Sequence, residues 1–223
     1  MTLRCQNRAA EVDKMPFKYA CFISYPSAQG QMLKEFVEEL KEALRDCIDP
    51  YLDEEVYIDK EQLGGGDHFN EALAQAICQS LCMIVVYVPK YERHEYCRRE
   101  YRAMEVLEQK RATICGREKL GNKGMIIPVI LRGDKDLPDK IKRHVHYCNF
   151  TKYTTASRNI RDNAECVEQL EAVARNIYEL YQAFEGHDAC NDCGEFRLPS
   201  PEEAPPWRTI PPAPPLPSRE VQE

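Results

Sequence analysis

The chain has 223 residues, 43% of them hydrophobic and 30% charged, which suits one globular domain with an ordinary core plus a tail and leaves no room for a second full domain. A formal net charge of -7 offers no basic footprint, which speaks against nucleic acid and anionic membrane surfaces as partners. Residues 1–14 carry charges throughout, and the longest apolar run, 81–88, is too short to span a bilayer, so a soluble, cytoplasmic protein is expected.

Residues 18–25 (KYACFISY) form a short β-rich apolar run ending at Pro26, and they predict the first strand. Leu33, Phe36, Val37, Leu40, Leu44 and Cys47 then recur at spacings of three and four, one stripe of an amphipathic helix that stops at Asp49-Pro50. Residues 55–60 (EVYIDK) read as a second strand. Gly64, Gly65 and Gly66 follow in a loop, and a helix is expected over 67–80 with Asp67 as its N-cap. Residues 81–88 are apolar on both faces, as a central parallel strand should be.

A helix over 95–110 carries Cys97, Tyr101, Met104 and Leu107 at helical spacing, and 125–131 (MIIPVIL) is another buried strand. A short helix is expected over 137–146 and a fifth, more polar edge strand over 147–153, with His144 and His146 alternating toward solvent. Val167, Leu170, Val173, Ala174, Ile177, Leu180, Tyr181 and Phe184 keep the helical period over the last helix. Five alternations of strand and helix specify a doubly wound, flavodoxin-like five-stranded parallel sheet with helices on both faces.

The organisation expected is an N-terminal extension (1–16), the α/β domain (17–185) and a flexible proline-rich tail (186–223), since nine of the 15 prolines fall between Pro199 and Pro217. Eleven cysteines is an odd count, and Cys21, Cys78, Cys82, Cys97 and Cys148 fall inside predicted elements, where a reduced thiol packs as a small hydrophobe. A disulfide framework is therefore not expected. Cys190 and Cys193 make a CxxC, half of a zinc site at most, so no metal is assigned. PPLPSR at 214–219 fits a polyproline ligand for a partner domain or a plain spacer.

Open parallel sheets bind ligands beyond the carboxyl ends of their strands. No Gly-Lys-Ser/Thr stands there for a phosphate loop, and the glycine run lacks GxGxxG spacing because position 69 is Phe69. A phosphoacceptor would need an acidic pair after the first strand, where the chain has Tyr25-Pro26-Ser27.

What stands there instead resembles TIR domains. YACFISYPS at 19–27 looks like the family's first box, with Ala20 or Cys21 in place of its aspartate. Residues 59–80 (DKEQLGGGDHFNEALAQAICQS) are similar to the second box and its loop. Tyr96-Cys97-Arg98-Arg99-Glu100 resembles the Trp-Cys-x-x-Glu that opens the helix after the third strand. His94 stands where many relatives have serine. The likeness covers about 17–184, and it is to the bacterial TIR proteins that consume NAD.

That resemblance implies an NAD nucleosidase, a glycohydrolase or cyclase in immune, antiphage signalling, with NAD as substrate and no separate cofactor, active through self-association of TIR domains. Glu100 takes the place of the family's catalytic glutamate. Tyr96, four residues before it, shares its helix face, and the enzymatic reading expects the carboxylate to look into a cavity at the mouth of the sheet. Gly64, Gly65 and Gly66 would form a lid. Phe22 serves either core or site, Tyr25 either packing or the lining of the site, and Ser27 either ligand binding or capping. Cys97 reads as packing rather than nucleophile. The rival reading is a non-enzymatic TIR adaptor that signals by self-association.

Overall fold

The computed structural model describes residues 17–27, 30–58, 67–120, 124–144, 147–153, 159–187 and 193–208. In chain order the elements are β1 (Tyr19–Ser24), α1 (Gln31–Ile48), β2 (Glu55–Ile58), α2 (Asp67–Cys78), β3 (Ser80–Tyr87), α3 (Glu95–Cys115), α4 (Arg117–Leu120), β4 (Ile126–Ile130), α5 (Asp139–Lys142), β5 (Cys148–Asn149) and α6 (Ala164–Phe184). Among the described residues, short 3-10 turns at Tyr91–Arg93, Asp134–Asp136 and Ile160–Asp162 sit between them.

All strands pair in parallel in the order β2-β1-β3-β4-β5. This is the doubly wound sheet that the alternating pattern predicts. The order follows from burial: β3 is apolar on both faces and takes the centre, while β2, alternating toward solvent, takes an edge. The helices pack as α1 with α6 and α2 with α3, so both faces of the sheet are covered. Asn163 caps α6 by accepting from the backbone N–H of Glu165 and Cys166.

The chain starts in mid-sheet at β1, steps out to β2, then crosses back to β3. The connections leaving the carboxyl ends of β1 and β3 therefore lead in opposite directions, one toward β2 and the other toward β4, and the crevice between them is where an open sheet of this order holds ligands. Behind that edge, Gly133 has φ +85, and a Cβ there would lie 2.9 Å from Pro89 Cγ, so glycine lets the loop after β4 close on the turn after β3.

Four expectations are corrected. The helix expected to end at Lys110 runs on to Cys115, because Arg111 on its inner face is fully buried and its guanidinium donates to the carbonyls of Cys78, Ser80 and Leu81. The fifth strand shrinks to two residues. After Asn149 the chain turns in to pack Phe150 and Tyr153 edge-on against Phe36. Cys78 is not a reduced thiol but is joined to Cys193 across 115 residues of sequence. The tail, expected to be flexible from 186, lies against the domain in its described part, 193–208, with Phe196, Leu198 and Trp207 packed on the core.

His144 does not face solvent either. Its Nε2 lies 2.8 Å from the Tyr101 hydroxyl, among Lys140, Arg143 and Glu105. Burial and the neighbouring Arg143 cation push its pKa from 6.5 down to about 4. The unfolded chain thus takes up the proton first, so this group's contribution to stability is intact above pH 6.5 and falls away as pH drops toward 4. Acid unfolding should show it: His144→Gln is expected to flatten the loss of stability through that window and to leave neutral pH little changed. Superimposable pH profiles for the two proteins would refute this. His146 lies outside the described residues.

Candidate active site

Strand β1 is buried along its whole length, and successive side chains alternate between its two faces. Phe22 and Ser24 share one face. Phe22, 1% exposed, stacks on its cross-strand partner Tyr57, a packing position. Ser24, at the carboxyl end of the strand, reaches α3: its hydroxyl donates to Glu100 Oε2 at 2.5 Å. The Tyr91 hydroxyl is 2.7 Å from Ser24 Oγ and 3.2 Å from the Cys97 carbonyl, to which it donates. With the single Ser24 proton given to Glu100, the Tyr91 proton is left to serve Ser24 Oγ and the Cys97 carbonyl.

Glu100 is 2% exposed. Its carboxylate lies at the β1/β3 crevice, in the second turn of α3, yet it points onto Ser24 rather than into open space, which corrects the expectation that it faces a cavity. A charge held out of water costs several kcal/mol unless hydrogen bonds offset it, so an apolar residue here would serve stability better. Its surroundings stay protonated. Tyr91 is held well above its ordinary pKa by burial, with Cys97 and Glu100 adding to the effect, and Cys97 is raised well above its own by burial and by Glu100.

Burial thus disfavours a Cys97 thiolate, in keeping with packing rather than nucleophilic duty. His94, the residue before α3, contacts Cys97 Sγ through Nδ1 at 3.4 Å and Ser27 Oγ through Nε2 at 2.9 Å. Its pKa is lowered by burial and by Lys90 and Arg98. Ser27 is thus tied to the start of α3, and its carbonyl accepts from Lys90 Nζ.

Tyr25 is half-buried at the exit of β1. Tyr96 is half-buried too. Its ring meets Phe69 of α2 edge-on, and the Arg99 guanidinium lies 5.1 Å from its centre. The fold thus brings Ser24, Ser27, Tyr91, His94, Tyr96 and Glu100 to one end of the sheet, with Phe22 below in the core. Gly64, Gly65 and Gly66 lie outside the described residues.

Sequence reasoning missed Ser24 and Tyr91. A lone serine ending a wholly apolar strand was a signal for the first. Nothing in the spacing pointed to the second. Among the described residues, no cluster of His, Cys, Asp and Glu could hold a metal ion, and no helix is long and apolar enough to cross a membrane.

Compared with known proteins, the chain matches the TIR domain family over residues 21–164. Among solved structures it aligns with the TIR domains of the activated Roq1 resistosome that directly recognizes the pathogen effector XopQ, at 20% identity and a TM-score of 0.37, covering 70% of this chain and 82% of that one. Comparison with curated proteins gave no match.

Proposed function

Since the chain belongs to the TIR domain family, we propose that it cleaves NAD between nicotinamide and ribose, with Glu100 as the carboxylate beside the sugar. The observation that carries this reading is the Glu100 carboxylate held by Ser24 at the carboxyl end of β1, where the connections from β1 and β3 lead apart, the place an open parallel sheet reserves for ligands. Other members of the family cleave NAD with the glutamate at this motif position.

The chemistry asks little else of the protein. The bond from ribose C1′ to the pyridinium nitrogen breaks, and its electron pair leaves with the ring as neutral nicotinamide, so no general acid is needed. Positive charge then grows on the ribose, where a nearby anion shielded from water is worth most. Water adding at C1′ loses a proton and gives ADP-ribose; attack by the adenine or a ribose hydroxyl gives a cyclic isomer. Tyr96 supplies a stacking face, the loop of Gly64, Gly65 and Gly66 a lid, and self-association of neighbouring copies completes the site. The role that fits is immune signalling in the cytoplasm.

The test is nicotinamide release by the purified protein over a range of concentrations, with Glu100→Ala beside it. Turnover that rises faster than linearly and vanishes in the variant supports the reading; equal turnover in both proteins removes Glu100 from the chemistry. Ser24 is a positioning residue here. Its loss removes a hydrogen bond to a charged group, worth roughly 1.5–3 kcal/mol, so Ser24→Ala should lower kcat about tenfold or more with KM unchanged. A KM effect alone would argue against it.

One observation favours a second reading, the non-enzymatic adaptor: Glu100 is 2% exposed and engaged with a core serine, as a structural residue would be. Under that reading no nicotinamide is released in any state, while the protein still self-associates.

A further inference from the structure

Two arginines stand in the first turns of α3, Arg98 and Arg99, where the helix dipole disfavours cations, and each is only 8% exposed. Each has a partner close by in sequence, the Glu92 carbonyl for Arg98 and the Glu95 carboxylate for Arg99, and a second about a hundred residues on. Arg99 Nε donates to the Pro199 carbonyl at 2.7 Å and Arg98 Nε to the Ala204 carbonyl at 3.0 Å. A proline-rich segment suits this duty: Pro199 has a carbonyl to offer and no N–H to satisfy, and the fixed φ of its prolines lowers the entropy lost on docking. Trp207 then lies 4.8 Å from the Tyr101 ring and 5.5 Å from the Tyr91 ring, and Arg208 pairs with Glu92 and Asp136. At the other end, Cys193 is bonded to Cys78 at the end of α2.

Residues 193–208 therefore run as a strap along α3, fastened at one end by a covalent bond and at the other by an aromatic anchor and ion pairs. The strap grips Arg98, Arg99 and Tyr101, which bracket Glu100, and Trp207 packs on Tyr91, whose hydroxyl meets the serine that holds the Glu100 carboxylate.

We infer that this strap is a redox-released cover that locks α3 and Tyr91 around Glu100, and that reducing the Cys78–Cys193 disulfide frees it. The strap and its release stand on the geometry alone; their effect on turnover rests on the NAD reading. In the reduction, a dithiol such as dithiothreitol gives two electrons and two protons to the disulfide, yielding the two cysteine thiols and the cyclic disulfide of the reagent.

The test uses the full chain, in which Trp207 is the only tryptophan and so a clean reporter. Acrylamide quenching of its fluorescence is compared in the oxidised protein, after dithiothreitol, and in Cys193→Ser without reductant, with circular dichroism as the check that each is folded. Quenching should rise roughly twofold or more on reduction, and Cys193→Ser should begin at the higher value and ignore the reagent. Amide exchange over the first turns of α3 should speed up in parallel. Unchanged quenching and exchange after verified reduction would overturn the proposal, and that arm decides the matter if the variant fails to fold.

Nicotinamide release, measured in the same samples, separates the two claims. A several-fold gain on release supports the cover, and measurable turnover that is equal before and after overturns it. Released strap with no turnover in any sample leaves the redox latch standing and removes the NAD reading instead.

Discussion

Glu100→Gln is expected to lower nicotinamide release by roughly 10²–10³-fold while leaving the thermal midpoint unchanged or higher. Glutamine keeps the size of the side chain and an oxygen to accept from Ser24, so it preserves the contact seen at 2.5 Å and deletes only the charge. If the charge stabilises a ribosyl cation, its loss falls on the rate. If the residue serves packing, the amide replaces it with little effect on anything. Stability points the same way: a carboxylate held out of water costs several kcal/mol that an amide does not, partly offset by the need to satisfy two new N–H groups. Both quantities are measured on one preparation, in the reduced protein. Turnover persisting in the glutamine variant would remove Glu100 from the chemistry, and a sharp fall in midpoint would mark the carboxylate as structural.

Arg111→Ala is expected to destabilise the domain by about 3–5 kcal/mol, the largest effect on folding foreseen here. Its guanidinium lies in the core, 4.7 Å from the Phe17 ring, and donates to the last carbonyl of α2 and to the first two carbonyls of β3. It thereby caps α2 from outside, at the end where the helix dipole favours a cation. Alanine withdraws the guanidinium donors from those carbonyls and opens a void. Arg111→Met fills most of the void and restores no donor, so the difference between the two variants in urea unfolding divides packing from hydrogen bonding. A loss below about 1 kcal/mol for alanine would show the guanidinium to be dispensable.

Arg111 also shows where periodicity misleads. It lies four residues beyond Leu107 on the same stripe, and a charge on an apolar stripe reads as the helix's end. The cation is tolerated because backbone carbonyls from two other elements meet it, a fact with no trace in local spacing. The contraction of β5 has a similar cause: an edge strand has one neighbour, and inward aromatic packing outweighed further ladder bonds. The tail differed in another way. Its proline content spoke for disorder, yet Phe196, Leu198 and Trp207 give it apolar anchors that composition averaged away.

By itself, the sequence determined the alternation of strands and helices, the central place of the doubly apolar strand β3, and the run from Tyr96 to Glu100 at the start of a helix, because burial period and motif spacing are written between near neighbours. Only the tertiary structure decided that Ser24, 76 residues before Glu100, holds its carboxylate, that the carboxylate is closed rather than open, and that Cys193 joins Cys78 across 115 residues to lay a strap on α3. Pairings at such separations depend on where the closed chain happens to bring two segments side by side, and no local pattern encodes that.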